Sequence, residues 1–234
     1  MEFKELREEV YEVNLDLGAS GLVVLTWGNA SATDENRGVF AIKPSGVPYS
    51  ELAPSDIVVV DIDTGEPIAG SAKPSSDAPT HRVLYEAFPH CGGIVHTHST
   101  YATSWAQAGE SIPCLGTTHA DHFAGGIPVT RNLTKTEVEG DYEGASGEVI
   151  VEHFSDAALD PLHTPGVLLP HHGPFAWGES ARAALHNAIA LEAVAHMAFV
   201  SRLIAPEGDK IPAHLRRKHF ERKHGPDAYY GQGA

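Results

Sequence analysis

The chain has 234 residues, and its 16 basic and 31 acidic side chains give a formal net charge of −15 at pH 7, which disfavours nucleic acid or an anionic membrane as a partner. No Pro/Ser-rich linker divides it and it has two cysteines, so we predict one domain over residues 1–234 in a reducing, cytoplasmic compartment. Its first ten residues do not resemble a secretory leader, and no apolar run approaches the roughly 20 residues of a membrane-spanning helix.

The first third of the chain predicts one helix followed by strands. Apolar residues between Phe3 and Leu17 approximate a helical stripe, which Gly18 and Gly21 end. Short β-branched runs separated by turn residues then predict three strands. They span Leu22–Thr26, Gly38–Ile42 and Asp56–Ile62.

The remainder predicts a mixture of helices and strands. Helices are expected at Thr80–Ala87, Tyr101–Ala108, Ser180–Leu203 and Pro212–Lys223. Strands are expected at Gly93–His98, Glu148–Phe154 and Gly166–Pro170. Because no regular βαβ rhythm is present, we predict a mixed sheet flanked by helices rather than a doubly wound nucleotide-binding fold.

Among the 15 histidines, a His-x-His pair has the spacing of metal ligands. His96 and His98 are expected on one face of a strand, with Cβ atoms about 6.6 Å apart. His171 or His172 could add a third imidazole, and Asp77 or Asp121 an oxygen ligand. Three neutral imidazoles with a further open or carboxylate-filled position suit catalytic zinc. A chance pairing is the alternative in so histidine-rich a chain.

Three turns carry small residues that would let backbone amides approach an anion. They contain Gly28-Asn29, Ser45-Gly46 and Ser75-Ser76, and Lys43 would add a positive charge. In an acidic chain, a phosphate would need such local contacts. Gly, Ser and Asn are also ordinary turn residues, so each pair alone has a structural explanation.

Seven segments together resemble the class II aldolase/adducin family, in order and at compatible spacing from the first helix to the last residues. They are Thr26-Trp27-Gly28-Asn29, Lys43-Pro44-Ser45-Gly46, Lys73-Pro74-Ser75-Ser76-Asp77, His96-Thr97-His98, Gly116-Thr117-Thr118-His119-Ala120-Asp121, His172-Gly173-Pro174-Phe175, and Lys223-His224-Gly225 through Tyr230-Gly231-Gln232.

The resemblance implies a three-layer α/β/α fold with a mixed, mainly antiparallel sheet. It also implies a divalent metal, usually zinc but with manganese as an option, and a homotetramer with active sites between subunits. By position, the metal ligands correspond to Asp77, His96, His98 and His172. The segments that hold the substrate phosphate correspond to the three turns above, and the proton-transfer residues correspond to Asp121 and Tyr230.

Within the family, the resemblance implies an epimerase that interconverts L-ribulose 5-phosphate and D-xylulose 5-phosphate. Related fuculose- and rhamnulose-phosphate aldolases carry a glutamate where this chain has Asp77. The C4 hydrogen of the substrate is not acidified by the C2 carbonyl, and the chain lacks a Gly-x-Gly-x-x-Gly turn for a nicotinamide cofactor. Cleavage and re-formation of the C3–C4 bond therefore remains the expected route. The alternatives are an aldolase and a non-catalytic adducin-like module.

Overall fold

The computed structural model describes residues 2–34, 36, 38–208 and 210–229. Its eight helices are α1 Lys4–Ala19, α2 Ala78–Ala87, α3 Thr100–Ala108, α4 Thr117–Ala120, α5 Lys135–Glu139, α6 Tyr142–Asp156, α7 Ala181–Ile204 and α8 Ala213–His224. Its seven strands are β1 Asn29–Thr33, β2 Val39–Ile42, β3 Val58–Asp61, β4 Pro67–Ala69, β5 Gly93–His96, β6 Gly166–Leu169 and β7 Gly173–Gly178. A single 3₁₀ turn spans Tyr49–Glu51.

The strands form one seven-stranded sheet in the order β4-β3-β2-β1-β5-β7-β6. Every strand pair in it is antiparallel. Among the described residues, parallel pairing is limited to an isolated bridge between Val129 and Leu168. The predicted α/β class with a mainly antiparallel sheet is therefore confirmed, whereas the described strands contain no parallel pair of the kind that a mixed sheet would have.

Helices cover both faces of the sheet. Along β2, Val39 and Ala41 enter the core that contains α1, α3 and α7, whereas Phe40 and Ile42 enter the core that contains α2 and α6. This alternation follows from the two-residue period of a strand and makes the sheet the middle of three layers. The end of β5, near the centre of the sheet, lies between the two cores.

The predicted strand Leu22–Thr26 is wrong, because this segment is an irregular turn. Trp27 donates its backbone N–H to the carbonyl of Val24 over 3.0 Å. Leu25 has φ 57°, a left-handed conformation that interrupts extended backbone. Leu22 enters the core and Val23 packs against it, but Val24 and Leu25 are 55% and 75% exposed, so the run does not continue as a buried strand. The strand begins later, at Asn29.

The predicted strand Glu148–Phe154 is also wrong, because it lies inside α6. Asp141 caps this helix by accepting the backbone N–H of Gly144. Gly147, Ile150 and Phe154 follow a helical period and are buried. A Cβ on Gly147 would approach the Cβ of Val83 in α2 to 2.7 Å, so close packing of α6 on α2 decides the conformation of this β-branched segment.

Three strands were not predicted: β1, β4 and β7. Asn, Ala, Ser and Gly dominate β1 and β7, whose strand character comes from pairing with β5 on either side. The predicted strand Gly93–His98 ends at His96, so His98 lies beyond the strand on which it was placed.

Helix α7 is long and apolar enough, by length and composition only, to span a membrane, and it is the one such helix among the described residues. Its buried residues belong to the same core as α1 and α3. Packing accounts for the buried face of α7, whereas Met197, Leu203 and Ile204 on the same helix are exposed. The same length and composition occur in core helices of globular proteins.

Asn14 joins α1 to β1 from a fully buried position. Its amide donates to the carbonyls of Val10 and Ala30, and its Oδ1 accepts the backbone N–H of Ala30 over 2.9 Å. Asn14→Leu would remove these partners and leave backbone groups of Ala30 buried without them. We expect the free energy of unfolding in urea to fall by about 2–4 kcal/mol, whereas Glu12→Gln on the exposed face should change it by less than about 0.5 kcal/mol. Equal stability of both variants would contradict this role.

Candidate metal centre and anion cradle

Three imidazoles converge where the central strands end. His96 is the last residue of β5, His98 follows it by two residues, and His172 lies in the turn between β6 and β7. The ring centroids are 4.9 Å apart for His96 and His98, 4.7 Å for His96 and His172, and 5.1 Å for His98 and His172. One nitrogen from each ring lies within 4.8 Å of the others. This near-equilateral triangle has the size of a three-histidine metal site.

The protonation of these rings fits a divalent metal. His96 Nδ1 lies 3.0 Å from the carbonyl oxygen of Pro174, which can only accept, so Nδ1 carries the proton and Nε2 presents its lone pair. This Nε2 lies 3.1 Å from Nε2 of His98. Burial lowers the pKa of His96 to about 4 and also lowers the pKa values of His98 and His172. Neutral imidazole is the form that binds a metal ion.

The turn before β7 selects His172 over His171. His171 has φ 61° and is exposed, and its backbone N–H donates to the carbonyl of Ala106. The backbone changes direction after His171, so of the two histidines only His172 places its side chain in the triangle. A Cβ on Gly173 would meet the carbonyl oxygen of Thr97 at 2.7 Å. Glycine thus allows the chain after His172 to approach the segment that carries His98.

Asp77 lies beside the triangle but outside the group of three ligand atoms. Its Oδ2 accepts the amide of Asn29 over 2.7 Å and faces the hydroxyl of Ser75 at 3.4 Å. Burial by itself would raise the pKa of Asp77, but the electrostatic influence of nearby histidines, His96 foremost, and the Asn29 hydrogen bond outweigh it and lower the pKa. Asp77 is therefore a carboxylate held next to the three imidazoles.

The structure brings the three predicted anion-binding turns together. Ser45 N–H donates to the carbonyl of Lys73, and Ser75 N–H donates to the carbonyl of Lys43, each over 3.0 Å. The Asn29 amide donates to the Ser75 hydroxyl over 3.0 Å. We call the assembled segments 28–29, 43–46 and 73–76 the cradle. Its exposed members are Ser45, Gly46, Lys73 and Ser76.

Lys43 supplies the cradle with a buried cation. Only 1% of this residue is exposed. Its Nζ lies 3.3 Å from the carbonyl of Pro44 and 4.9 Å from the centroid of the Tyr49 ring, and it makes no ion pair with any described residue. Burial lowers its pKa to about 8. Because no carboxylate among the described residues neutralises Lys43, its positive charge favours an anion in the adjoining cradle.

Asp121 lies apart from this group of residues, where α4 meets α8. Arg222 contacts both carboxylate oxygens, with Nε 3.0 Å from Oδ1 and Nη2 2.7 Å from Oδ2, and His219 Nδ1 lies 3.1 Å from Oδ1. Burial would raise the pKa of Asp121, but these two partners lower it. None of its hydrogen-bond partners belongs to the triangle. Tyr230 lies outside the described residues.

Sequence reasoning missed several contacts to the site. The hydroxyl of Tyr142 lies 3.3 Å from Nδ1 of His172, and Tyr142 is the first residue of α6, whose start was not predicted. Asp141 in a capping position was the signal that could have placed it. Tyr49 and Arg222 had no comparable local signal, because the Tyr49 hydroxyl bonds to Gly28 and Arg222 to Asp121, both distant in sequence.

Comparison with known proteins identifies one matching family and several solved structures with this fold. Residues 8–199 match the family described as Class II Aldolase and Adducin N-terminal domain. The structure superposes on an L-fuculose 1-phosphate aldolase with a TM-score of 0.78 and 25% identity, covering 95% of this chain and 97% of the other. It superposes on YgbL of Klebsiella pneumoniae, a candidate aldolase, epimerase or decarboxylase, with a TM-score of 0.73 and 27% identity, covering 93% and 99%. A sugar-phosphate aldolase from Thermotoga maritima, 21% identical with a TM-score of 0.67 over 91% and 100%, shares the fold.

Proposed function

The chain belongs to the class II aldolase and adducin family, and from that premise we propose that it is an L-ribulose-5-phosphate 4-epimerase. The observation that carries the proposal is the convergence of three neutral imidazoles beside a cradle with a buried lysine. A non-catalytic member of the family would need neither feature. A metal next to an anion cradle suits chemistry on a phosphorylated ketose.

His96, His98 and His172 would hold the divalent cation, and we propose zinc because three neutral imidazoles suit it, with manganese as an option. When bound, the cation supplies a Lewis acid that stabilises negative charge at the reacting oxygens. The Pro174 carbonyl orients His96 through Nδ1, and the Tyr142 hydroxyl contacts His172. Such outer contacts keep ligand nitrogens directed at one point.

The cradle would hold the substrate phosphate through the Ser45, Gly46, Ser75 and Ser76 turns and Lys43. This anchoring is part of the reaction, because cleavage between C3 and C4 leaves a two-carbon aldehyde that carries the phosphate. The aldehyde must turn its face before the bond re-forms, and a fragment that escapes ends the cycle. A fixed phosphate with a free aldehyde end meets both requirements.

Inversion at C4 presents the C4 oxygen on opposite sides in the two epimers, so one acid–base group is needed on each side. We propose Asp121 and Tyr230 for this pair. Since the partners of Asp121 in this chain lie on α8 rather than at the triangle, the proposal includes a homotetramer in which these residues reach the metal site of a neighbouring copy. A single domain and a cytoplasmic location complete the proposal.

An aldolase acting on a sugar 1-phosphate is the second candidate, favoured by the superposition on L-fuculose 1-phosphate aldolase. The two reactions differ in the fate of the aldehyde after bond cleavage, because an aldolase releases it. Incubation with L-ribulose 5-phosphate and, separately, with L-fuculose 1-phosphate distinguishes them. Release of dihydroxyacetone phosphate from the second substrate, with no xylulose 5-phosphate from the first, would replace the epimerase by the aldolase.

Removal of the metal should abolish the reaction. We expect the purified protein to form D-xylulose 5-phosphate from L-ribulose 5-phosphate, to lose at least about 99% of that activity after dialysis against a chelator, and to regain it with added zinc or manganese. Circular dichroism before and after dialysis controls for unfolding. Undiminished turnover by folded protein shown to be metal-free would exclude the proposed mechanism.

A further inference from the structure

Tyr49 lies at the junction of the cradle and the strand that leads to the metal centre. It begins the 3₁₀ turn that follows the cradle segment 43–46. Its hydroxyl donates to the carbonyl of Gly28 over 2.8 Å, and its ring centroid is 4.9 Å from Nζ of Lys43. The residue therefore touches two of the three segments of the cradle at once.

The ring gives the buried ammonium of Lys43 a neighbour that does not compete with an anion. An aromatic face attracts a cation through its quadrupole. A carboxylate in the same place would neutralise Lys43 and repel a phosphate. A phenol ring thus holds the cation in position and leaves its charge available.

The Tyr49 hydroxyl restrains the cradle segment 28–29. Gly28 has φ 112°, and a Cβ there would approach the carbonyl oxygen of His96 to 2.8 Å. Its backbone is thus fixed against the last residue of β5 on one side and by the Tyr49 hydroxyl on the other. Burial raises the pKa of Tyr49, so the phenol keeps the proton that it donates throughout the physiological pH range.

The back of the ring is fixed by α1. A Cβ on Gly18 would meet Cγ of Tyr49 at 2.9 Å, so the absence of a side chain at Gly18 lets the ring pack directly on the helix. The Tyr49 ring therefore has little freedom to move when Lys43 loses or gains an anion.

We propose that Tyr49 is a positioning residue for phosphate binding, which acts by holding the Lys43 ammonium over its ring and the Gly28 carbonyl with its hydroxyl. The proposal rests on the proposed function only in taking the cradle as the phosphate site. Tyr49 acts through Lys43 and Gly28 and needs no contact with the substrate.

The test separates the ring from the hydroxyl. Tyr49→Phe keeps the ring and removes the donor to Gly28, whereas Tyr49→Leu removes both. With zinc-loaded protein and inorganic phosphate as the calorimetric probe, we expect Tyr49→Phe to raise the dissociation constant about threefold and Tyr49→Leu about tenfold or more. Lys43→Met should weaken binding at least as much as Tyr49→Leu. Tyr101→Phe, whose ring stacks on His196 away from the cradle, should bind phosphate as the wild type does.

Steady-state kinetics provide a readout that general destabilisation would not produce. Both Tyr49 variants should raise KM for L-ribulose 5-phosphate by a larger factor than they lower kcat, and their zinc content should stay within about twofold of the wild type. Tyr49→Phe provides this test even if Tyr49→Leu does not fold. The role of Tyr49 would be overturned if Tyr49→Phe and any folded Tyr49→Leu bound phosphate with wild-type affinity. It would also be overturned if Lys43→Met did so. If the Lys43 and Tyr49 variants lose phosphate affinity but the wild type forms no xylulose 5-phosphate, the proposed reaction is refuted and the role of Tyr49 remains supported.

Discussion

Replacing His98 with asparagine is expected to remove most of the bound zinc and to reduce epimerisation by at least about a hundredfold. His98 contributes one of three nitrogen atoms that lie within 4.8 Å of each other. A shorter amide cannot reach the same point with an equivalent lone pair, and two remaining imidazoles bind a divalent cation far more weakly. Since His98 lies after the end of β5, the substitution leaves the sheet pairing intact.

The matched control is His171→Asn. It changes the same residue type one position from the third imidazole, but His171 is exposed and outside the triangle. Asparagine also tolerates the left-handed conformation found there, at φ 61°. Zinc per chain, measured by mass spectrometry after dialysis, should fall for His98→Asn and stay near one for His171→Asn. Full zinc content in His98→Asn would remove His98 from the ligand set.

The elements that could be predicted from the sequence are those whose own pattern decides their conformation. Helix α1 carries a helical stripe, α7 an alanine-rich run and α8 a strongly charged run, and their bounds were predicted to within a few residues. By contrast, β1 and β7 are strands because they pair with β5. The segment Glu148–Phe154 is helical because Gly147 packs against α2. The conformation of these segments depends on tertiary contacts, which local sequence propensity does not reflect.

The site residues also divide into those that the sequence indicated and those that depend on tertiary contacts. The His-x-His spacing indicated two of the imidazoles, although the pair does not share a strand as expected. The doublet left His171 and His172 undecided from spacing alone, and the resemblance favoured His172. The turn between β6 and β7 brings only His172 into the triangle. The contact of Asp121 with Arg222 could not be predicted because it joins segments 101 residues apart. The contact of Lys43 with Tyr49 depends on how the short loop between them folds.

Replacing Asp121 with asparagine is expected to lower kcat for epimerisation by about 10²–10⁴-fold, the usual contribution of a positioned acid–base group. Bound zinc should stay near one per chain, because the hydrogen-bond partners of Asp121 lie on α8 and none is a candidate metal ligand. Asparagine has nearly the same shape but cannot exchange the proton. Normal turnover by this variant would exclude Asp121 from proton transfer.

A reduced rate alone would not separate catalysis from structure, because Asp121 also holds α8 through Arg222. Arg222→Gln provides the comparison, since it breaks the same two-point contact and keeps the carboxylate. If Asp121 exchanges a proton, Asp121→Asn should be at least about tenfold slower than Arg222→Gln. If both variants lose the same activity, the carboxylate serves to attach α8.

The pH dependence of unfolding isolates the structural part of this contact. Arg222 and His219 hold the pKa of Asp121 below its ordinary value, so the folded state binds the proton less readily than the unfolded chain. This contribution to stability is complete above the ordinary aspartate pKa of about 3.9 and is lost as the pH falls through the lowered folded-state value. In urea titrations, the stability advantage of the wild type over Asp121→Asn should therefore be constant near neutral pH and shrink below about pH 4. The same low pKa keeps Asp121 ionised at neutral pH, which fits its proposed role as a proton acceptor.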